Sequence, residues 1–159
     1  MTDKLLTCID GQPYKCTIGE LGYILERKSP HNYFSANTPN IEEGVNSFQV
    51  IHRNEDIESC INELAFVGLK PAITAKLSDG RFMSIIVIDT VLYDISTLKS
   101  VQRALNTITG NKNRITKNIS ESVSCDATFI NVYGDINKFG IFYQYIGSIL
   151  SSLPKSCTN

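Results

Sequence analysis

The signatures that usually announce catalysis are missing from this 159-residue sequence. No G-x-x-x-x-G-K-[ST] loop is present to cradle a phosphate. No G-x-G-x-x-G follows a strand, and there is no H-E-x-x-H or EF-hand loop. The G-x-S-x-G elbow and the kinase set are absent as well. Histidine occurs only twice, as His31 and His52, and neither stands in an H-x-[ST] pair. The five cysteines (Cys8, Cys16, Cys60, Cys125 and Cys157) are odd in number, and no two are spaced from C-x2-C to C-x4-C. That spacing argues against a structural zinc site and against a secreted disulfide framework, so thiols are expected. No metal and no cofactor is expected from these patterns.

Long hydrophobic runs are lacking too. The densest apolar run is Ile85 to Ile88, with Met83 nearby, far short of a membrane span. The first residues, MTDKLLTCIDGQ, hold no basic stretch followed by a long apolar one, so neither a leader nor a membrane partner is expected. Hydrophobic residues make up 42% and charged residues 19%, a globular balance. The expectation is one domain over residues 1–154 with a frayed tail at 155–159, acting in the cytoplasm.

Periodicity supplies the elements that are there. Asp10-Gly11 separates KLLTCI from PYKCTI, the pattern of a hairpin with strands at 4–9 and 14–18. GELGYILERK reads as a short helix. Residues 28–46 are rich in Pro, Asn and Ser, lack a period and read as a long loop. FQVIH is a strand. In the helix that follows, Asn54 is the expected N-cap, and Ile57, Cys60, Ile61, Leu64 and Ala65 share a face. PAITAKL and RFMSIIVID form a second hairpin around SDG. Its second strand is apolar on both faces over 85–88, which suggests a central position. Leu98, Val101, Ala104, Leu105 and Ile108 define the inner side of another helix. ATFINVYG is a strand. A last helix follows Asp135, its expected cap, with Ile136, Phe139, Tyr143, Ile146, Leu150 and Leu153 as the inward stripe. Phe142, Tyr145 and Ile149 widen that stripe enough to make the helix a candidate homodimer surface. The fold class expected is α+β: a mostly antiparallel sheet of five to six strands built from two hairpins, covered by two to three amphipathic helices.

Charge is unevenly spread although the net charge is -1. Residues 96–119 carry Lys99, Arg103, Lys112, Arg114 and Lys117 against no acid. In a helix Lys99, Gln102, Arg103 and Asn106 share one face. If 111–123 forms a second helix with Ile115, Ile119 and Val123 inward, the pair would be a helix-turn-helix able to reach phosphates and bases. Glu42, Glu43, Glu55, Asp56, Glu58 and Glu63 form an acidic counterpart opposed by Arg53 alone.

Three function classes follow. The leading one is a non-enzymatic protein-interaction module, an inhibitor, immunity, counter-defence or adaptor protein. Its expected binding residues are His31, Tyr33 and Phe34 of the 28–46 segment with Glu42, Glu43, Glu55 and Asp56, and charge segregation of this kind speeds encounter with a complementary protein. The second is a nucleic-acid-binding regulator using the basic segment. The third is a small cysteine-dependent enzyme with Cys16 as thiolate, His52 as base and Asp89 as orienting acid.

Overall fold

A computed structural model of the chain describes residues 4–9, 12–25, 29–35, 44–110, 123–125, 128–132 and 135–151. The elements run β1 (Lys4–Ile9), β2 (Gln12–Thr17), α1 (Ile18–Leu25), β3 (Ser29–Ser35), β4 (Val45–Ile51), α2 (Ile57–Ala65), β5 (Ile73–Lys76), β6 (Phe82–Leu92), α3 (Ile95–Ile108), β7 (Val123–Cys125), β8 (Thr128–Val132) and α4 (Phe139–Ser151). The class is α+β and every strand pairing is antiparallel.

Both expected hairpins are present. β1 pairs with β2 from Lys4↔Thr17 to Ile9↔Gln12. β5 meets β6 across Ser78-Asp79-Gly80, where Gly80 takes φ 92° and Asp79 is salt-bridged to Arg81 at 2.8 Å. α1 opens on a reciprocal cap: Thr17 Oγ1 accepts from Glu20 N, and Glu20 Oε1 accepts from Thr17 N. Asp94 caps α3, its carboxylate accepting from Thr97 N and Thr97 Oγ1.

The strands do not make one sheet of five to six. They divide into two four-stranded sheets, β2-β1-β3-β7 and β4-β6-β5-β8. Four helices stand in the described chain, at the four segments where the sequence placed them. The reason for the extra strands is non-local. Within the segment read as a loop over 28–46, Ser29–Ser35 pairs with β1 on one side and β7 on the other. Pro30 falls in the register shift between Ser29 and Tyr33, where no ladder donor is demanded of it. Val123–Cys125 likewise pairs with β3, so Val123 belongs to a strand and not to a second recognition helix.

β6 is central in its sheet, between β4 and β5, as its two-sided apolarity implied. One buried cluster joins Met83, Ile85 and Val87 to Ile73, Ala75, Cys16 and Leu21. The other joins Ile86 and Ile88 to Phe48, Val50 and the helices α2, α3 and α4 through Leu64, Leu98, Val101, Leu105, Phe142 and Ile146. Alternation along one strand thus feeds two cores. No described helix is long and apolar enough to cross a membrane.

Two caps differ from expectation. Asp56, not Asn54, caps α2 by accepting from Ser59 N and Oγ, while Asn54 Oδ1, two residues earlier, accepts from Asp56 N. α4 starts at Phe139, not after Asp135, and Asp89 Oδ1 accepts from Phe139 N at 3.0 Å. Among the described side chains the inward stripe of α4 is Phe139, Phe142, Ile146 and Ile149, while Tyr143 turns outward and stacks edge-on against Phe139; Leu153 lies outside the described residues.

Candidate functional site

The densest group of chemistry-bearing side chains lies where β4 ends beneath α2. β4 is buried along its whole length. His52 continues its run, donating its backbone N–H to Phe82 O at 2.9 Å. Strand alternation puts its ring on the same side as Phe48 and Val50, under the helices. From α2, Cys60 and Glu63 stand three residues apart and so share one helical face. The donor atoms of His52, Cys60 and Glu63 all lie within 4.8 Å of one another.

His52 is 3% exposed. Its Nε2 meets Ser84 Oγ at 2.7 Å, and Ser84 Oγ meets Thr74 Oγ1 at 3.3 Å. Its Nδ1 faces Glu63 Oε1 at 3.8 Å, beyond hydrogen-bond distance, and both atoms are buried without a hydrogen-bond partner. A polar line therefore crosses β5, β6 and β4 and ends at α2. Burial lowers the His52 pKa to about 4, so the imidazole is neutral at pH 7. Burial, with the Glu63 and Asp56 carboxylates nearby, raises that of the Cys60 thiol to about 11. Burial also pushes the Glu63 carboxyl above its ordinary range.

Ser84, His52 and Glu63 follow the order of a nucleophile, base and orienting acid. The geometry does not support that chemistry. Ser84 is 0% exposed and sits mid-strand in β6, so no substrate carbonyl can reach its Oγ. Cys60 is held as a protonated thiol, the wrong form for a nucleophile. What the cluster offers is lone pairs: an imidazole nitrogen, a sulfur and a carboxylate oxygen.

The residues singled out from sequence fall in several places. Cys16 is fully buried in the core beneath β5 and β6, and the thiol brought to His52 is that of Cys60. Asp89 serves Phe139 N and Thr90 Oγ1, away from His52's ring. His31, Tyr33 and Phe34 are strand residues of β3, with Tyr33 opposite Ser124 and Phe34 opposite Val123. Glu55 and Asp56 are exposed at the start of α2, whereas Glu42 and Glu43 lie outside the described residues. Glu63, read from sequence as part of the acidic surface, turns toward His52.

Of the basic segment, Lys99 is exposed and Arg103 half-buried, while Lys112, Arg114 and Lys117 lie outside the described residues. Gln102 does not join that face. It is 2% exposed and donates to Gln49 O and Asn106 Oδ1. Cys60, Glu63 and Ser84 went unnoticed as a group because their partner His52 reaches them only through sheet and helix packing. The one sequence signal was C-x2-E at helical spacing, eight residues after His52.

Two surface features remain. A shallow pocket of about 220 Å³ lies between the α2–β5 connection and the start of α4, lined by Lys70, Asn137, Lys138 and Ile141. Along α4, Ile141, Tyr143 and Tyr145 are exposed, as are Phe66 just after α2 and Tyr93 just before α3. Compared with family models, curated proteins and solved structures, the chain matches none.

Proposed function

We propose that the protein is a non-enzymatic interaction module that binds another protein by surface occlusion, as an inhibitor, immunity, counter-defence or adaptor protein does, with the outer side of α4 as its docking face. One observation carries this reading. Ile141, Tyr143 and Tyr145 are 53%, 55% and 44% exposed within five residues, while Phe142 and Ile146 already meet the packing needs of the helix. Tyr143 touches only the edge of Phe139, and more than half of its surface, like that of Ile141, is left in solvent by a helix that is otherwise well seated. Tyrosine is also a preferred anchor at protein interfaces, being large, stiff and able to hydrogen-bond. A second copy of the chain is one partner of the right chemistry, because α4 offers the same apolar side chains to itself. The expected setting is a reducing cytoplasm, in keeping with Cys16 and Cys60 being thiols.

The test compares the chain with a Tyr143→Glu/Tyr145→Glu variant. Solution mass is measured alone and after incubation with source lysate, with a thermal melt as the folding control. A dimer or a stoichiometric partner is expected for the unaltered chain and is expected to be lost in the variant, which still melts cooperatively as a folded chain although it lacks the Tyr143–Phe139 ring contact. A monomer that retains nothing, or a variant that retains the same partner, sinks the reading.

A further inference from the structure

We propose that His52 Nδ1, Cys60 Sγ and Glu63 Oε1 form a three-ligand Zn2+ site that ties the end of β4 to α2, with water on the fourth position. The inference stands apart from the α4 docking face.

The first ground is an unmet polar demand. His52 Nδ1 and Glu63 Oε1 are buried, face each other at 3.8 Å and have no hydrogen-bond partner. Buried polar atoms are nearly always satisfied, and an exception calls for a water or an ion. In either imidazole tautomer the gap is too wide for a direct hydrogen bond. It is close to the separation of two ligands on one tetrahedral ion, about 3.3–3.5 Å when each stands about 2.0–2.1 Å from zinc. Cys60 Sγ, within 4.8 Å of both, needs a shift of about 1 Å to join them.

The second ground is orientation. His52 Nε2 and Ser84 Oγ lie 2.7 Å apart, and in the tautomer that carries its proton on Nε2 the Ser84 oxygen accepts it and the lone pair stands on Nδ1, the atom turned toward Glu63. Metal-bound imidazoles are commonly steered in this way by a partner on the other nitrogen. Thr74 Oγ1 in turn fixes the Ser84 hydroxyl at 3.3 Å.

The third ground is charge and softness. A thiolate, a carboxylate and a neutral imidazole carry two negative charges, which a divalent ion cancels in a site too buried to hold them unpaired. The sulfur–nitrogen pair selects zinc over magnesium or calcium, which prefer oxygen alone. On uptake the Cys60 S–H bond breaks, the proton leaves to solvent, and the sulfur electron pair forms the S–Zn bond, with no change of oxidation state. The Glu63 side chain is 28% exposed, so the ion has a way in past α2.

The experiment uses the whole chain stripped of metal with a chelator. Titration with Co2+ is expected to raise a thiolate-to-cobalt absorption band that saturates at one equivalent and is erased by Zn2+. Competition with a chromophoric chelator gives the Zn2+ affinity. Cys60→Ser is expected to abolish the band. Glu63→Gln, at a half-exposed position that leaves folding intact, is expected to weaken Zn2+ by more than about tenfold. Ser84→Ala is expected to keep the band and weaken Zn2+ by about 10- to 100-fold, the usual cost of losing an orienting partner. Zn2+ should also raise the melting temperature of the unaltered chain and not that of Cys60→Ser. The proposal is overturned if no Co2+ band appears, if the band survives Cys60→Ser and so belongs to another cysteine, or if Glu63→Gln binds as tightly as the unaltered chain. A crystal grown with Zn2+ that shows only a water between His52 and Glu63 overturns it as well.

Discussion

At the scale of single residues, Asn137 does more than its place in a connecting segment suggests. Its Oδ1 accepts from Lys70 N at 2.9 Å, and its Nδ2 donates to Lys70 O and Val87 O at 2.9 and 3.0 Å. Its backbone donates to Val87 O and accepts from Asp89 N. One side chain thus joins the α2–β5 connection to the central strand just before α4 begins. Truncation would leave the Lys70 amide and carbonyl without this partner, each a cost of about 1–3 kcal/mol unless water replaces it, while Val87 O keeps the Asn137 backbone N–H. Asn137→Ala is therefore expected to destabilise by about 2–4 kcal/mol in urea unfolding, and a loss under about 1 kcal/mol would show that water takes over the role. Nothing in the sequence marked Asn137, because its three partners are backbone groups distant in the chain. The same is true of Ser84, one polar residue in an apolar run, whose meaning appears only once His52 is laid beside it by the β4–β6 register.

At the scale of elements, local signals were most readable where the chemistry is local. The β1–β2 and β5–β6 hairpins, the inner face of α3 and the central place of β6 followed from turn residues and period. β3 and β7 did not, because three to seven residues of mixed polarity become strands only through pairing with distant partners. α4 was legible as a helix and misread in its facing. Eight apolar or aromatic residues around its circumference leave the period unable to choose, and packing against α3 and β6 chose Phe142 and Ile146.

Capping gives the test at this scale. The Asp94 carboxyl is held below its ordinary range, first by the Thr97 hydroxyl and then by the Thr97 amide. A depressed folded-state value contributes stability that is full above the unfolded pKa, about 3.9, and is lost as pH falls through the folded value. Asp94→Asn keeps an acceptor for the α3 amides but does not titrate there. The stability gap between the unaltered chain and the variant should therefore be widest near pH 6 and shrink steadily as pH drops below about 4. A gap that is constant from pH 6 to pH 3 would show that the ionised form of Asp94 is not what serves the cap.

At the scale of the whole molecule, β6 organises the described fold. Met83, Ser84 and Ile85 are paired on both sides, to Ile51, Val50 and Gln49 in β4 and to Ala75, Thr74 and Ile73 in β5. Met83 and Ile85 enter one buried cluster, Ser84 turns to the opposite face toward His52, and all three are 0% exposed. Opening these amides to water requires separating two strand pairs and uncovering both cores, which is close to unfolding the domain. They are expected to be the slowest-exchanging amides in the chain, with an opening free energy equal to the global one, while Thr128–Val132 of the edge strand β8 exchange sooner. Phe142→Ala provides the check. Removing a ring that is 2% exposed should cost about 3–5 kcal/mol of global stability. Protection at Met83, Ser84 and Ile85 should fall by that same amount, although α4 touches only one face of β6. If protection at those amides stays put while the melting temperature drops, the two cores unfold separately, and β6 is a boundary between them instead of their common spine.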